Sequence, residues 1–178
     1  MTMAFADIDN DGDLDGYLAT TAVPPPAGTK FEVMFVTENG KEKPVVLSNL
    51  KEYWDLIHIP GDPELGTEDR AQRVEAGQYD HLLRNDDGKF VDVSREAGID
   101  GNYFTLSATW WDYDQDGYPD LYVSNDYTGP DQLYHNNGDG TFHNVIEKFT
   151  RHTPWFSMGS DVADLNNDGW LDFLAADL

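Results

Sequence analysis

Asp112-Tyr113-Asp114-Gln115-Asp116-Gly117-Tyr118-Pro119-Asp120 decides how the chain is read. Carboxylates stand at its first, third, fifth and ninth positions and a glycine at its sixth. The pattern recurs as Asp7-Ile8-Asp9-Asn10-Asp11-Gly12-Asp13-Leu14-Asp15 and as Asp164-Leu165-Asn166-Asn167-Asp168-Gly169-Trp170-Leu171-Asp172. Hard oxygen donors at alternate positions let a short loop wrap one Ca²⁺, and the glycine permits the sharp turn that returns the later donors to the ion. The seventh residue (Asp13, Tyr118 or Trp170) varies in type, so only its carbonyl is expected to ligate. The ninth-position Asp is expected to close the shell in bidentate fashion. This is not an EF-hand, which needs Glu at the twelfth position and a helix on each side. Here Leu18, Val123 and Ala175 occupy the twelfth positions, in apolar runs that read as strands. A single Asp-Gly run is often only a polar turn. Three copies with the same glycine and the same ninth Asp favour metal.

The loops set the frame. Asp112 and Asp164 are 52 residues apart, and Asp7 and Asp112 are 105 apart. Alternating β-branched and aromatic residues predict strands before the loops at 2–6, 106–111 and 158–163, and after them at 16–21, 121–125 and 173–176. Two further stretches align with each other: Tyr79-Asp80-His81-Leu82-Leu83-Arg84-Asn85-Asp86-Asp87-Gly88-Lys89-Phe90 and Pro130-Asp131-Gln132-Leu133-Tyr134-His135-Asn136-Asn137-Gly138-Asp139-Gly140-Thr141-Phe142. Each reads as a hairpin, with the Asn/Asp/Gly cluster supplying the turn. The unit is therefore strand, acidic loop, strand, strand, turn, strand. Four strands in a repeat of about 40–50 residues make a propeller blade. The fold class is all-β: residues 1–178 form a partial β-propeller of two full blades and half a third.

The first unit carries an insertion at 22–77, roughly fifty residues long. Pro24-Pro25-Pro26 marks its exit, and 30–36 with 44–47 is expected to pair across Asn39-Gly40. Asn49 with Glu52 resembles a capping box, and Leu50, Tyr53, Trp54 and Ile57 recur at helical spacing, which predicts a short amphipathic helix. The stretch 61–77 reads as polar loop. The insertion is a decoration packed on the blade or a binding lid over one propeller face.

These residues resemble the FG-GAP/VCBS repeat proteins, whose blades are similar to those of the integrin α-subunit propeller. The resemblance rests on the three loops, on Gly138-Asp139-Gly140-Thr141-Phe142, and on Phe156-Ser157-Met158-Gly159-Ser160-Asp161-Val162-Ala163. Phe90-Val91-Asp92-Val93-Ser94-Arg95-Glu96-Ala97-Gly98-Ile99, followed by Ala108-Thr109-Trp110-Trp111, resembles the cartilage-acidic-protein branch, in which bacterial chains often end in an ASPIC/UnbV domain. Nothing like that domain is present in these residues. The resemblance implies ligand roles for Asp7, Asp9, Asp11 and Asp15, for Asp112, Asp114, Asp116 and Asp120, and for Asp164, Asn166, Asp168 and Asp172. It also implies a seven-bladed parent. Asn166 keeps an oxygen but drops a charge, so the third site is expected to be the weakest.

Charge and composition exclude several classes. The 178 residues include 34 acidic and 11 basic side chains, a formal net charge of −23 that should repel nucleic acid and anionic membrane. With 39% hydrophobic and 13% aromatic residues, the chain is no disordered acidic tail. It has no cysteine, which excludes disulfides, zinc-thiolate sites and a cysteine nucleophile. No apolar run approaches membrane-spanning length. Weak calcium loops favour an extracellular, periplasmic or cell-surface location, although no signal peptide is readable and residue 1 looks like a cut within a longer protein.

Other candidates carry less. His58, His81, His135, His143 and His152 lack zinc spacing and read as polar strand positions. Ser107 and Ser157 have no nucleophile elbow around them. Trp110 and Trp111 should face opposite sides of a strand, one of them core. Asp126 and Asp177 read as turn caps. The favoured function is a non-catalytic, Ca²⁺-dependent module, with about three sites, that binds protein or glycan. The alternative is part of a carbohydrate-active enzyme such as a polysaccharide lyase, against which the scarce and unclustered Lys and Arg count. A purely structural repeat segment is the third reading. The missing blades of the parent chain, or self-association, are expected to cover the open faces.

Overall fold

The computed structural model describes residues 2–21, 26–30, 33–38, 40–51, 54–59, 70–75, 78–126 and 129–178. Its strands in chain order are β1 (Thr2–Ala6), β2 (Asp15–Ala19), β3 (Val33–Glu38), β4 (Lys41–Val46), β5 (Trp54–Ile59), β6 (Arg70–Glu75), β7 (His81–Asp86), β8 (Lys89–Asp92), β9 (Phe104–Trp111), β10 (Asp120–Asp126), β11 (Gln132–Asn136), β12 (Phe142–Asn144), β13 (Ser157–Ala163) and β14 (Asp172–Asp177). Two single helical turns, α1 (Ser94–Ala97) and α2 (Ile146–Phe149), follow β8 and β12. The chain divides into two compact units: Met1–Thr21 with Gln78–Leu178, and Ala22–Gly77.

The first unit is a partial propeller. β1-β2-β7-β8 form one four-stranded antiparallel sheet and β9-β10-β11-β12 another, each a blade in sequence order. β13 and β14 pair as a half-blade. The registers place Phe5 opposite Gly16, Tyr17 opposite Leu82, and Asn85 opposite Phe90.

Blade two is covered on both faces, and its sequence reads accordingly. β10 is buried from Asp120 to Asn125, the near-continuous burial expected of a strand with neighbours on either side. Successive residues serve different neighbours. Leu121 and Val123 join Ile8, Tyr17, Ala19 and Leu82 of blade one. Tyr122 and Trp111 join Leu133, Val145 and Ile146, with Val162 and Phe173 of the half-blade packed against them. Trp111 stacks on Phe173 with centroids 5.2 Å apart, while Trp110 meets Tyr17 edge-on at 6.4 Å. Trp111 is thus core, and Trp110, partly buried, packs against the core of the other interface. Such aromatic pairs are worth about 0.5–1.5 kcal/mol beyond the area they bury.

The connection between the blades is pinned by Gly98. It caps α1 in the left-handed conformation (φ 81°), and its N–H bonds the Arg95 carbonyl. A Cβ there would meet the Phe142 carbonyl at 2.7 Å, so conformation and space both demand glycine.

The second unit is also β-structure. β3 and β4 form the expected hairpin, with Glu38 opposite Lys41. The expected amphipathic helix is not formed. Ser48–Leu50 make a single 3-10 turn with no side-chain cap, and Trp54–Ile59 is strand β5, paired with β6. Trp54 and Leu56 alternate onto a small core with Val46 and Leu50, and aromatic and β-branched residues suit a strand. Strand β6 also corrects the reading of 61–77 as loop throughout. Asn39, Glu52, Tyr53, Pro24, Pro25 and the stretch 60–69 lie outside the described residues.

Candidate metal centre

Each acidic loop joins the first two strands of its sheet, and all three share one internal geometry. The first-position Asp holds the loop closed. Asp7 accepts hydrogen bonds from the N–H groups of Asp11 (3.1 Å) and Gly12 (3.0 Å), Asp112 from Asp116 (3.0 Å) and Gly117 (2.8 Å), and Asp164 from Asp168 (3.1 Å) and Gly169 (2.9 Å). The fifth-position Asp accepts from the seventh residue's N–H: Asp11 from Asp13, Asp116 from Tyr118, Asp168 from Trp170. The sixth-position glycines Gly12, Gly117 and Gly169 lie at φ 99°, 95° and 90°. A Cβ on them would touch nothing, so backbone conformation alone selects glycine. The fourth residue is also left-handed: Asn10, Gln115 and Asn167 have φ near 60°.

The ninth-position Asp does more than the sequence reading gave it. Asp15 Oδ2 accepts from Ile8 N–H (2.9 Å) and its Oδ1 from Asn85 N–H (2.8 Å). Asp120 repeats this with Tyr113 (3.0 Å) and Asn136 (2.8 Å). It therefore ties the loop to the third strand. Asp172 accepts from Leu165 N–H (3.0 Å), but its half-blade has no third strand among the described residues. The two loops are also joined to each other: Asn10 Nδ2 donates to the Gly117 carbonyl (3.1 Å) and Asn136 Nδ2 to the Ile8 carbonyl (2.9 Å). Asn85 and Asn136 align in the two hairpins, and that repeat was the signal that could have found them.

The structure brings the ligand atoms of Asp7, Asp9 and Asp15 within 4.8 Å of one another, and likewise those of Asp112, Asp114 and Asp120. Asp11 and Asp116 do not join these sets. Asp164, Asn166, Asp168 and Asp172 form the same loop, with Asn166 Oδ1 accepting from Asp168 N–H and its Nδ2 donating to Asp168 Oδ2. The side chains at the seventh position differ. Trp170 is 58% exposed, and Asp13 Oδ1 is shielded without a hydrogen-bond partner.

Electrostatics fit a divalent cation. Burial pushes Asp9 up, and the carboxylates of Asp11, Asp15 and Asp7 push it further. Asp120, wholly inaccessible, is pushed up to about 6 by burial, against the N–H groups of Asn136 and Tyr113 and nearby His135 that favour its charge. Converging like-charged oxygens are unfavourable alone and favourable around a hard cation. The donors are all oxygen in both sets, which suits Ca²⁺ rather than a softer metal.

Beside the second loop lies a cleft of about 470 Å³, lined by Tyr113, His135, His143, Val145, Lys148 and Phe149. His135, expected only to be a polar strand position, has its Nδ1 3.0 Å from Asp120 Oδ1 and 3.5 Å from Asp114 Oδ2. His81, at the start of the corresponding hairpin in blade one, pairs instead with Asp92 at 2.8 Å.

Residues 112–175 match the family model for an FG-GAP-like repeat. The match runs from the first ligand of the second loop into β14, so FG-GAP-like repeat sequence covers β10 to β13 and part of β14. No curated protein matches the chain.

Proposed function

We propose that this FG-GAP-like repeat chain is a Ca²⁺-dependent, non-catalytic interaction module. It works outside the cytosol, in an extracellular, periplasmic or cell-surface setting, and engages a protein or glycan through a propeller face. The observation that carries the calcium reading is the convergence of the first, third and ninth carboxylates in the first two loops. In the first two loops, bound ions would sit where the loops are already cross-linked to the third strands and to each other, so they would stiffen the propeller edge. Asp7, Asp9 and Asp15, Asp112, Asp114 and Asp120, and Asp164, Asn166 and Asp172 would hold them, with Asp11, Asp116 and Asp168 close by. Calorimetric titration of the chelated chain should count about three Ca²⁺ ions, with Mg²⁺ a poor substitute because it demands a smaller octahedral shell. A melting curve that excess EDTA leaves unchanged, from a sample first shown to hold metal, would sink the reading.

A second reading is favoured by the cleft. Tyr113, His135, His143 and Lys148 are the residue types that a polysaccharide lyase uses to neutralise a uronate and abstract its proton. Among the described residues that line it, Lys148 is the one permanent cation, which favours binding over turnover. Release of unsaturated product from polyuronates would decide for the enzyme.

A further inference from the structure

The cleft beside the second loop has a covered counterpart in blade one. The registers match the two hairpins, with Asn85 opposite Phe90 in the first and Asn136 opposite Phe142 in the second. Val93 and Val145 follow alike, donating to the Leu82 and Leu133 carbonyls. Each is followed by a four-residue helical turn, which makes Ala97 the equivalent of Phe149. Ile8 holds in the first loop the place that Tyr113 holds in the second. Tyr113, Val145 and Phe149 line the cleft. Their equivalents Ile8, Val93 and Ala97 instead share one core with Tyr134 and Phe142, which come from the third and fourth strands of the next blade. Ile8 and Ala97 are 3% and 1% exposed, whereas Phe149 is 41% exposed.

Hydrogen bonding points the same way. Asp15 and Asp120 each give one carboxylate oxygen to a loop N–H and the other to the N–H of a third-strand asparagine, Asn85 or Asn136. Asp172 accepts from Leu165 N–H through Oδ2, and among the described residues nothing donates to its Oδ1. Asn136 also donates across the interface to the Ile8 carbonyl at 2.9 Å, the equivalent of the Tyr113 carbonyl beside the cleft. Among the described residues β14 pairs on one side only, with β13. An open strand edge next to a pocket for one side chain is the arrangement to which an added strand docks, the edge giving affinity and the pocket specificity.

We propose that the β14 edge and the cleft together seat a β-hairpin donated by a separate chain. The hairpin pairs with β14 and lays an aromatic side chain into the cleft against Tyr113, Val145 and Phe149. Its chemistry is set by the covered counterpart. It carries an asparagine at the end of its first strand, whose N–H reaches Asp172, then a glycine-bearing turn, then Phe or Tyr on the return strand. The inference narrows the interaction reading, on which it rests for the choice of a protein over a glycan; calcium does not enter it.

The test adds to the full chain a synthetic peptide of residues 130–146, which copies the hairpin of β11 and β12. A lone hairpin is marginal in water, so the peptide orders as it binds. It should bind one to one, raise the melting point with peptide concentration, and slow hydrogen exchange at the amides of β14. The peptide bearing Phe142→Ala should bind more than about tenfold more weakly, a comparison that needs no variant of the chain to fold. No binding, binding that leaves β14 exchange unchanged, or equal binding by the Phe142→Ala peptide overturns the inference. A chain that ignores the peptide but binds oligouronates also overturns it, and leaves the interaction reading standing. Peptide binding that survives excess EDTA, in a chain that takes up no Ca²⁺, supports the seat and sinks the calcium reading.

Discussion

The Thr105 hydroxyl of blade two lies 2.6 Å from Asp80 Oδ2 of blade one, and 2.9 Å from Asn125 Oδ1. One proton faces two acceptors. Asn125 cannot turn to relieve this, since its Nδ2 already donates to the Pro130 carbonyl at 2.8 Å. Asp80 also accepts from Tyr17 Oη (2.7 Å) and from Thr20 N–H (2.6 Å), and it is 1% exposed. A proton on Asp80 Oδ2 would let the acid donate to Thr105, which then donates to Asn125. Burial pushes the Asp80 carboxyl up, against the hydrogen bonds from Thr105, Tyr17 and Thr20. The arrangement recurs at Asp131, which accepts from Tyr122 Oη and Asn125 N–H. There the buried Ser157 hydroxyl favours the ionised form but closes no hydrogen bond in the observed geometry. The buried carboxyl of the first hairpin thus joins its own blade to the first strand of the next.

The sign of the pH dependence follows. A carboxyl whose folded pKa is raised binds its proton more tightly in the folded chain. Its contribution is fully present below the unfolded value and is lost as pH rises through the folded one. Asp80→Asn imitates the protonated form, donating to Thr105 while accepting from Thr20. It should cost less than about 1 kcal/mol at neutral pH, and Asp80→Ala about 1–3 kcal/mol through the stranded partners. Urea midpoints from about pH 4 to 7 should fall less with pH for Asp80→Asn than for wild type. Identical slopes would show that Asp80 stays ionised throughout.

The first and third loop positions should separate under mutation. Asp112 accepts two loop N–H groups, so Asp112→Ala should lower stability by about 1 kcal/mol even after chelation. Asp114→Asn keeps an oxygen toward Asp116 N–H and drops only charge. It should leave the chelated melting point unchanged and weaken Ca²⁺ binding about tenfold or more. Equal losses in EDTA for both variants would mean that the first-position bonds do not hold the loop.

The sequence disclosed what repeats. Strand order and loop shape were readable because Asp, Gly and apolar residues recur at fixed offsets, and each recurrence tests the last. What lies between blades was less legible. His135 and Thr105 act through partners on other strands, and period alone does not place them. The insertion has no second copy, so Leu50, Tyr53, Trp54 and Ile57 could be counted at helical spacing while Trp54 and Leu56 alternate as strand. β6 was invisible because Arg70–Glu75 shows no apolar alternation.

Removing the insertion should leave the blades intact. β2 and β7 are antiparallel neighbours, with Leu18 opposite His81, and Thr20 N–H already bonds Asp80. Replacing residues 22–77 by a short Gly/Asn turn closes a gap that the sheet has nearly closed itself. No loop ligand is removed, and a shorter loop costs less closure entropy. The shortened chain should melt cooperatively with the same Ca²⁺ count. Failure to fold in excess Ca²⁺ would make residues 22–77 part of the blade's core.

The half-blade should drive association. Phe173 and Val162 face Trp111 and Tyr122 of blade two, so the next residue along, Leu174, faces away and is 62% exposed. Met158 and Phe156 are 42% and 40% exposed nearby, and Met3 and Phe5 of β1 are 41% and 51% exposed on blade one. Among the described residues, β14 pairs only with β13, so one of its edges keeps unpaired N–H and C=O groups. Inside the chain, blade faces of this kind are buried by other blades, each Å² of apolar surface worth about 25 cal/mol. A further blade packed on these faces, such as a second copy of the chain would supply, is the natural cover. In isolation the chain should therefore self-associate at micromolar concentration, with a melting point that rises with concentration. Leu174→Lys places a charge on the open face without touching the Phe173 contact, and it should reduce light scattering while leaving the far-ultraviolet spectrum unchanged. A wild-type chain that scatters as a monomer and melts independently of concentration would show that these faces need no cover.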